Sequence, residues 1–476
     1  MLIEARFNWA HRKLYNRLIQ LGAQPVYERG ESDEQHPEGI EGTFLPWSAG
    51  LRQRLLDLFP LPKGQDTIPD DVPLEPRWNL SLLTDINKTS LVQNSIENVI
   101  SQVAASESAN TANSPPDDLL DIPNALIASV ESNTRLTPTT HWQDVRLLTL
   151  SLQHSHSYNP GDVLTIYPKN FPSDVNHFLT LCNWTSIADK PIRFIRNPQR
   201  TPEINLANQE PPPVQLSDRD HVFSLRELLT NHLDIMSIPR RSFFSQLLHY
   251  TDNPSHRERL QEFINPEFID ELYDYTTRPR RSILEVLDEF TSVKIPWQKV
   301  CSVVPKIRGR QFSIASGGVL KFGQRSSLPS SSLAGEGVAS EITKVELLVA
   351  IVKYRTVIKR IRLGVATRYI ASLRPGQRIS VTLEKGGLGF KKGDISRPVV
   401  MIGPGTGVAP MRNLIYERMA VREQMGIPQP SLGERDILFY GCRNREADFF
   451  FRNEWDDIGE KAGLSVFVAF SRDQVS

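Results

Sequence analysis

Residues 397–418 read RPVVMIGPGTGVAPMRNLIYER. Residues 399–402 have strand character, Gly403, Gly405 and Gly407 supply a turn, and residues 408–418 have helical character. Glycine lets a ligand approach the backbone, and a helix N-terminus offers unpaired N–H groups and partial positive charge. Thr406 adds a hydroxyl donor. The pattern is neither GxGxxG nor GxxxxGK[ST], so it favours a phosphate over a plain tight connection without naming the ligand. In RGRQFSIAS, Arg310 and Phe312 fall on one face of a strand. A guanidinium beside an aromatic suits a planar, phosphorylated ligand, although taken alone an ordinary strand with Phe312 in the core is the better reading.

Two further stretches could bind phosphate. In RLGVATRYIASL, residues 364–367 precede a short helix over 368–373 and form a second candidate anion corner. The plain alternative is an N-cap at Thr367. Arg443, Arg445 and Arg472 follow successive strand ends in the last part of the chain, where ligands of α/β sheets collect. A solvated basic rim is the alternative there.

Composition narrows the partners. Fifty-five basic and 55 acidic residues cancel, so no global field points to nucleic acid. Hydrophobic residues make up 39%, enough for packed cores, yet no apolar run reaches the ~18 residues of a membrane span. The first residues lack the long apolar region of a secretory signal. Cys182, Cys301 and Cys442 are far apart, without metal-ligand spacing, which suits a reducing, cytoplasmic setting.

The elements fall into blocks. Residues 7–22 place Trp9, Leu14, Leu18 and Ile19 on one helix face, with Gly22 as the stop. A short strand and an acidic loop follow, then an amphipathic helix over 49–60. This is the tail of an α/β domain and too little for a whole sheet. Residues 62–125 are rich in Ser, Asn, Asp and Pro and read as a flexible linker. Alternating strands from 133 onward are interrupted over about 175–290 by helical segments and return after 308, the pattern of a barrel with a helical insertion. From 397 to 476 strand and helix alternate, as in a parallel sheet.

Taken in order, R-x-[YF]-S, G-V-x-[ST], G-P-G-T-G-x-A-P-x-R, C-R-x-x-x-x-D and S-R-D resemble the ferredoxin–NADP reductase superfamily. The helical insertion resembles its diflavin branch, which includes cytochrome P450 reductase. The nearest resemblance is to the NADPH-dependent diflavin reductases of cytosolic iron–sulfur assembly, carried by DEQHPEG, GDVLTIYPKN, PRRSFF and RPRRSILEVL.

That resemblance implies a multidomain fold. It comprises an α/β flavodoxin-like remnant (1–61), the linker (62–125), a β-barrel FAD domain with helical insertion (126–396) and an incomplete Rossmann-like NADP domain (397–476). It assigns FAD to Arg280, Arg310, Gln311, Phe312, Ser313, Gly364, Val365, Ala366 and Thr367, with Ser313 aiding the hydride step. It assigns NADP to Gly403, Gly405, Thr406, Gly407, Arg443, Ser471 and Arg472, and FMN to Phe7, Asn8 and Glu34. The implied acceptor is an anamorsin-like iron–sulfur protein, and the implied compartment is the cytoplasm, with mitochondria as a second setting. The GSQTGT-like loop and the segment beyond SRD that the resemblance leads one to expect are not in the sequence. The chain therefore reads as a fragment at both ends, which sets FMN binding in question. Two alternatives remain open at this point: another P450-reductase-like diflavin reductase, and a non-catalytic binding module.

Overall fold

A computed structural model describes residues 8–34, 36, 38–69, 72–83, 114–197, 211–214, 222–322, 342–388, 392–428 and 435–473. The chain divides into two compact units, the first made of Met1–Asn79, Arg196–Glu203 and Met236–Val304, the second of the rest.

The first unit is helical. Helix α1 spans Trp9–Gln20 and α2 spans Glu41–Leu58. Trp9, Leu14, Leu18 and Ile19 remain exposed on α1. The strand expected after α1 is not formed, because among the described residues this stretch has no neighbouring ladder to donate to. Helix α2 starts eight residues earlier than its sequence suggests and carries Pro46 in its interior, a residue that reads as a helix breaker.

Three further helices, α3 (Arg241–Leu247), α4 (Pro254–Ile264) and α5 (Ile283–Glu289), enclose an aromatic core. Phe263 stacks on Tyr275 at 4.4 Å between centroids, and Phe244 lies 5.1 Å from Phe263. A Ser282–Glu285 capping box starts α5. Arg241 on α3 is buried, pairs with Glu38 and donates to the Ile264 carbonyl, which ties the segment before α2 to the aromatic core.

The second unit is built on a nearly closed antiparallel barrel. Its strands are β1 (Leu126–Arg135), β2 (Val145–Leu152), β3 (Val163–Ile166), β4 (Arg310–Ser313), β5 (Thr343–Ala350) and β6 (Arg378–Glu384). Their order is β4-β3-β6-β1-β2-β5. After β4 the chain bends across to β5: Ile314 bridges Leu347, and Ala315 N–H donates to the Glu346 carbonyl at 2.7 Å. Alternation along the strands sends Ala128, Val130, Leu148, Leu150, Leu164, Ile166, Val345 and Leu347 inward. Helix α6 (Val365–Ser372) adds Tyr369 and Ile370 to this core.

Part of the stretch read as linker is docked on the barrel. Lys169 is buried, and its ammonium donates to the Pro116 carbonyl and the Asp118 carboxylate. Asn231 reaches the same carboxylate, and Ser380 holds the Leu120 carbonyl. Residues 84–113 lie outside the described residues. The helical insertion also contains a short antiparallel pair, Pro191–Arg196 with Phe223–Ser224.

Beyond the barrel, β7 (Val400–Pro404), β8 (Asp436–Cys442) and β9 (Leu464–Phe470) form a parallel sheet. Helices α7 (Ala409–Gln424) and α8 (Arg452–Ala462) pack on it through Leu414, Ile415, Trp455 and Ile458. Barrel residues Val145, Ala315 and Leu348 belong to the same hydrophobic cluster. Asp436 anchors the start of this sheet. Its carboxylate takes Arg418 at 2.9 Å, Arg422 at 3.0 Å and the Val399 N–H at 3.0 Å. No described helix is long and apolar enough to cross a membrane.

Asp436→Asn leaves Arg418 charged and buried without its carboxylate. Such losses cost about 3–5 kcal/mol, so the urea midpoint of Asp436→Asn falls by a matching amount. A midpoint like the wild type's would show that Asp436 is not an anchor. Glu227 sits near Asp118, and burial pushes its pKa from 4.5 up to about 7. A raised carboxylate pKa favours the fold fully below about 4.5, and that contribution is lost as pH rises through about 7. Glu227→Gln should therefore match the wild type at pH 4–5 and exceed it at pH 8 by up to about 3 kcal/mol in urea unfolding.

Candidate functional site

The glycine turn sits where its sequence puts it. Gly405–Val408 form one 3-10 turn between β7 and α7. A Cβ on Gly403 would come 2.9 Å from the Val408 Cα, so strand and helix approach closely only with glycine there. Gly405 has φ +55° and open space around it. Thr406, half-buried, and Gly407, exposed, complete the turn. Proline at the second position of α7 has no N–H to offer, and the Ala409 N–H closes back on the Thr406 carbonyl.

The three strand ends come together in register: Pro404 pairs with Gly441, and Cys442 with Phe470. Ser471 N–H donates to the Cys442 carbonyl and Arg472 N–H to the Arg443 carbonyl, both at 2.9 Å, so the ladder runs into the motif residues. Ser471 and Arg472 are exposed. Arg443 is turned away from that edge. Its guanidinium donates to Gln143 at 2.7 Å and lies over the Trp142 ring at 4.6 Å, which uses the cation to hold a barrel loop. Arg445 instead lies over Phe470 and helps line an open cleft of about 710 Å³ together with Pro138, Asn444 and Asp473. Asp473 accepts from Asn444 Nδ2 and the Arg445 N–H.

On the barrel, Arg310 is exposed and donates to the carbonyls of Arg308 and Gly309. Gln311 donates to Glu384 at 2.9 Å. Phe312 is half-buried against the barrel core and pairs with Leu164, while Ser313 pairs with Val163. Gly364, not Thr367, is the N-cap of α6. The Arg368 N–H makes the first intrahelical bond, to the Gly364 carbonyl, leaving the amides of Val365, Ala366 and Thr367 as first-turn donors. The Thr367 hydroxyl accepts from Val352 N–H at 3.0 Å and closes back on the Gly364 carbonyl, so it braces the corner from inside the helix.

Arg280 belongs to the first unit. It is exposed, with φ +53°. Asn8 caps α1 at φ 49° and its amide reaches the Ser32 carbonyl at 3.5 Å. Glu34 lies in a turn, and Phe7 lies outside the described residues.

Sequence reading overlooks the residues that join the two halves of the second unit. Arg412, the last residue of GPGTGVAPMR, reaches Glu346 on β5 and Glu454 on α8. Asn413 is fully buried and donates to the Ile314 carbonyl. The only sequence signal is a polar Arg-Asn pair where a helix start is otherwise apolar.

The family described as FAD binding domain matches residues 120–321, and that described as Oxidoreductase NAD-binding domain matches residues 401–476. The NADPH-dependent diflavin oxidoreductase 1 of Emericella nidulans is 48% identical over 98% of this chain and 69% of its own length. Its counterparts in Schizosaccharomyces pombe and Xenopus laevis are each 34% identical over 98% of this chain, covering 69% and 70% of their lengths. The chain belongs to the NADPH-dependent diflavin oxidoreductases. It is an oxidoreductase with an FAD-binding and an NAD(P)-binding domain; the first match covers barrel strands β1–β4 and the second covers the parallel sheet.

The cysteine of CRNREAD sits where its thiolate is disfavoured. Burial, with Asp448 beside it, pushes the Cys442 thiol up to about 12. With a thiol reagent at pH 8, the half-buried Cys301 should label first, while buried Cys442 and Cys182 stay protected until unfolding. Rapid labelling of Cys442 in the folded chain would contradict its burial.

Proposed function

We propose that this oxidoreductase takes electrons from NADPH at the glycine turn and passes them by way of FAD on the barrel, and FMN in the wider family, to an anamorsin-like iron–sulfur protein in cytosolic iron–sulfur cluster assembly. The observation that carries the first part is that both anion corners and the Arg310–Ser313 strand are parts of one compact unit, in which barrel residues Val145, Ala315 and Leu348 share a hydrophobic cluster with Val408 of the glycine turn. The acceptor and the compartment, cytoplasmic with mitochondria as a second setting, rest on the resemblance.

The residues fit the cofactors. The first-turn amides of α6 and the exposed Arg310 are donors suited to a flavin pyrophosphate, and the half-buried Phe312 offers a flat surface beside it. Gly403, Gly405, Thr406 and Gly407 offer a second backbone cradle, for the NADPH pyrophosphate. Ser471 and Arg472, exposed at the end of β9, suit the 2′-phosphate, since arginine stays charged and binds phosphate through two donors. Arg443, spent on Gln143, serves this site by fixing its loop. FAD, when bound, supplies the acceptor for the hydride that NADPH gives up; the chain's own part is to align the two and exclude water. Ser313 would hold a hydroxyl at the reacting edge of the flavin, and Arg280 would add a contact from the connecting helices.

The same reading gives residues 1–61 as the end of a flavodoxin-like domain, with Phe7, Asn8 and Glu34 toward FMN. Residues 62–125 connect it to an FAD domain over 126–396 and an NADP domain over 397–476.

Flavin extraction from the purified chain, with its visible spectrum, tests this directly. FAD should co-purify, and Arg310→Gln should weaken its binding by roughly 10–100-fold, the loss of one charge-assisted contact. A chain that takes up no flavin sinks the assignment.

A further inference from the structure

The segment that continues the Arg310–Ser313 strand is gripped from two sides. From the barrel, Ser316 is fully buried, pairs with the Tyr158 hydroxyl at 2.7 Å and accepts the Glu346 N–H at 3.0 Å. From the other side comes helix α7, which starts at the glycine turn. Arg412 Nη1 donates to the Ala315 carbonyl at 3.1 Å and to Glu346 at 2.7 Å. Its Nε and Nη2 form a fork on Glu454 at 2.7 and 3.0 Å. Asn413 Nδ2 donates to the Ile314 carbonyl at 3.2 Å. One turn further along, Glu417 accepts from the Gly318 N–H at 2.9 Å and from Lys321 at 2.7 Å.

The fit is close enough to require glycine. A Cβ on Gly317 would lie 2.1 Å from the Asn413 carbonyl oxygen, and one on Gly318 would lie 2.2 Å from that of Tyr416. Gly318 also has φ +49°.

Such an arrangement is poor evidence for stability, since desolvating an arginine and two carboxylates offsets most of their attraction. Its strength is geometric. Arg412 is 3% exposed, and a planar fork on one carboxylate, a second carboxylate and a carbonyl are satisfied together in only one placement of α7 on the strand. The backbone distance spanned is short: Ala315 is two positions beyond Ser313, and Arg412 is five positions beyond Gly407.

We propose that Arg412, with Asn413, is a positioning residue for hydride transfer: it locks the helix behind the dinucleotide turn onto the tail of the flavin-facing strand and so sets the separation of donor and acceptor. This rests on the reading of Arg310–Ser313 as that strand.

The test uses the FAD-loaded chain, mixed anaerobically with excess NADPH while flavin absorbance is followed; NADP+ affinity is titrated separately. Arg412→Met should keep FAD and NADP+ affinity yet slow flavin reduction by about 100-fold, the size expected of a small misplacement. Arg412→Lys should restore part of the rate. Gly317→Ala, which removes no charge, should show the same separation of rate from affinity, and it carries the test alone if Arg412→Met does not fold. Wild-type reduction rates in Arg412→Met or in Gly317→Ala would overturn the proposal. So would a loss of NADP+ affinity as large as the loss of rate, since Arg412 would then be a binding residue. Arg310→Gln separates this from failure of the underlying reading. If that variant keeps FAD fully bound, the reading of the strand falls and the proposal with it. If it loses FAD while Arg412→Met reduces at the wild-type rate, the proposal alone falls.

Discussion

The NAD(P)-binding half depends on one buried guanidinium. Arg412 lies among Glu346, Glu454, the Ala315 carbonyl and the ring of Phe451, whose centroid is 4.4 Å away. Burial works against its charge, but the two carboxylates hold its pKa above the ordinary value. A charge in that setting cannot drift, because each departure leaves a partner desolvated and unmatched. The parallel sheet, its helices and the barrel are therefore registered to one another through a polar joint set inside a shared apolar cluster.

Around that joint the chain repeats one device. A strand ends, the backbone turns at glycine, and a helix begins. It occurs at Gly403–Gly407 before α7 and at Gly364 before α6. Both corners present backbone rather than side chains, so their shape depends on rigid support from behind. Asp436 supplies it for the first by collecting Arg418, Arg422 and the Val399 amide. Thr367 supplies it for the second by tying Val352 to the helix start.

Much of this was legible locally. The alternation of the barrel strands, the 3.6-residue repeat of the insertion and the glycine turn are short-range patterns, and they appear in the structure close to where periodicity places them. The errors have local causes as well. The helix read over 49–60 starts at Glu41 and runs through Pro46, and Thr367 reads as a cap yet lies one turn inside its helix. The predicted strand after α1 fails because a strand is a property of its neighbours rather than of its own residues. Residues 114–122 read as linker because they are polar and proline-rich, but Lys169 gives their carbonyls and carboxylates buried partners.

The sequence by itself determined the order of the motifs, the turn chemistry and the binary pattern of each element, since these depend on residues a few positions apart. It also determined the family, through the joint occurrence of those motifs. Tertiary structure alone decided which arginines face the strand ends and which are consumed in holding the frame. Arg443 and Arg445 are two positions apart and look equivalent in the sequence, yet one is bound to Gln143 and the other lies over Phe470. Arg412 meets Glu454 and Glu346 at separations of 42 and 66 residues. Contacts that distant leave no periodic trace, because the chain between them can fold in many ways that keep the same local pattern.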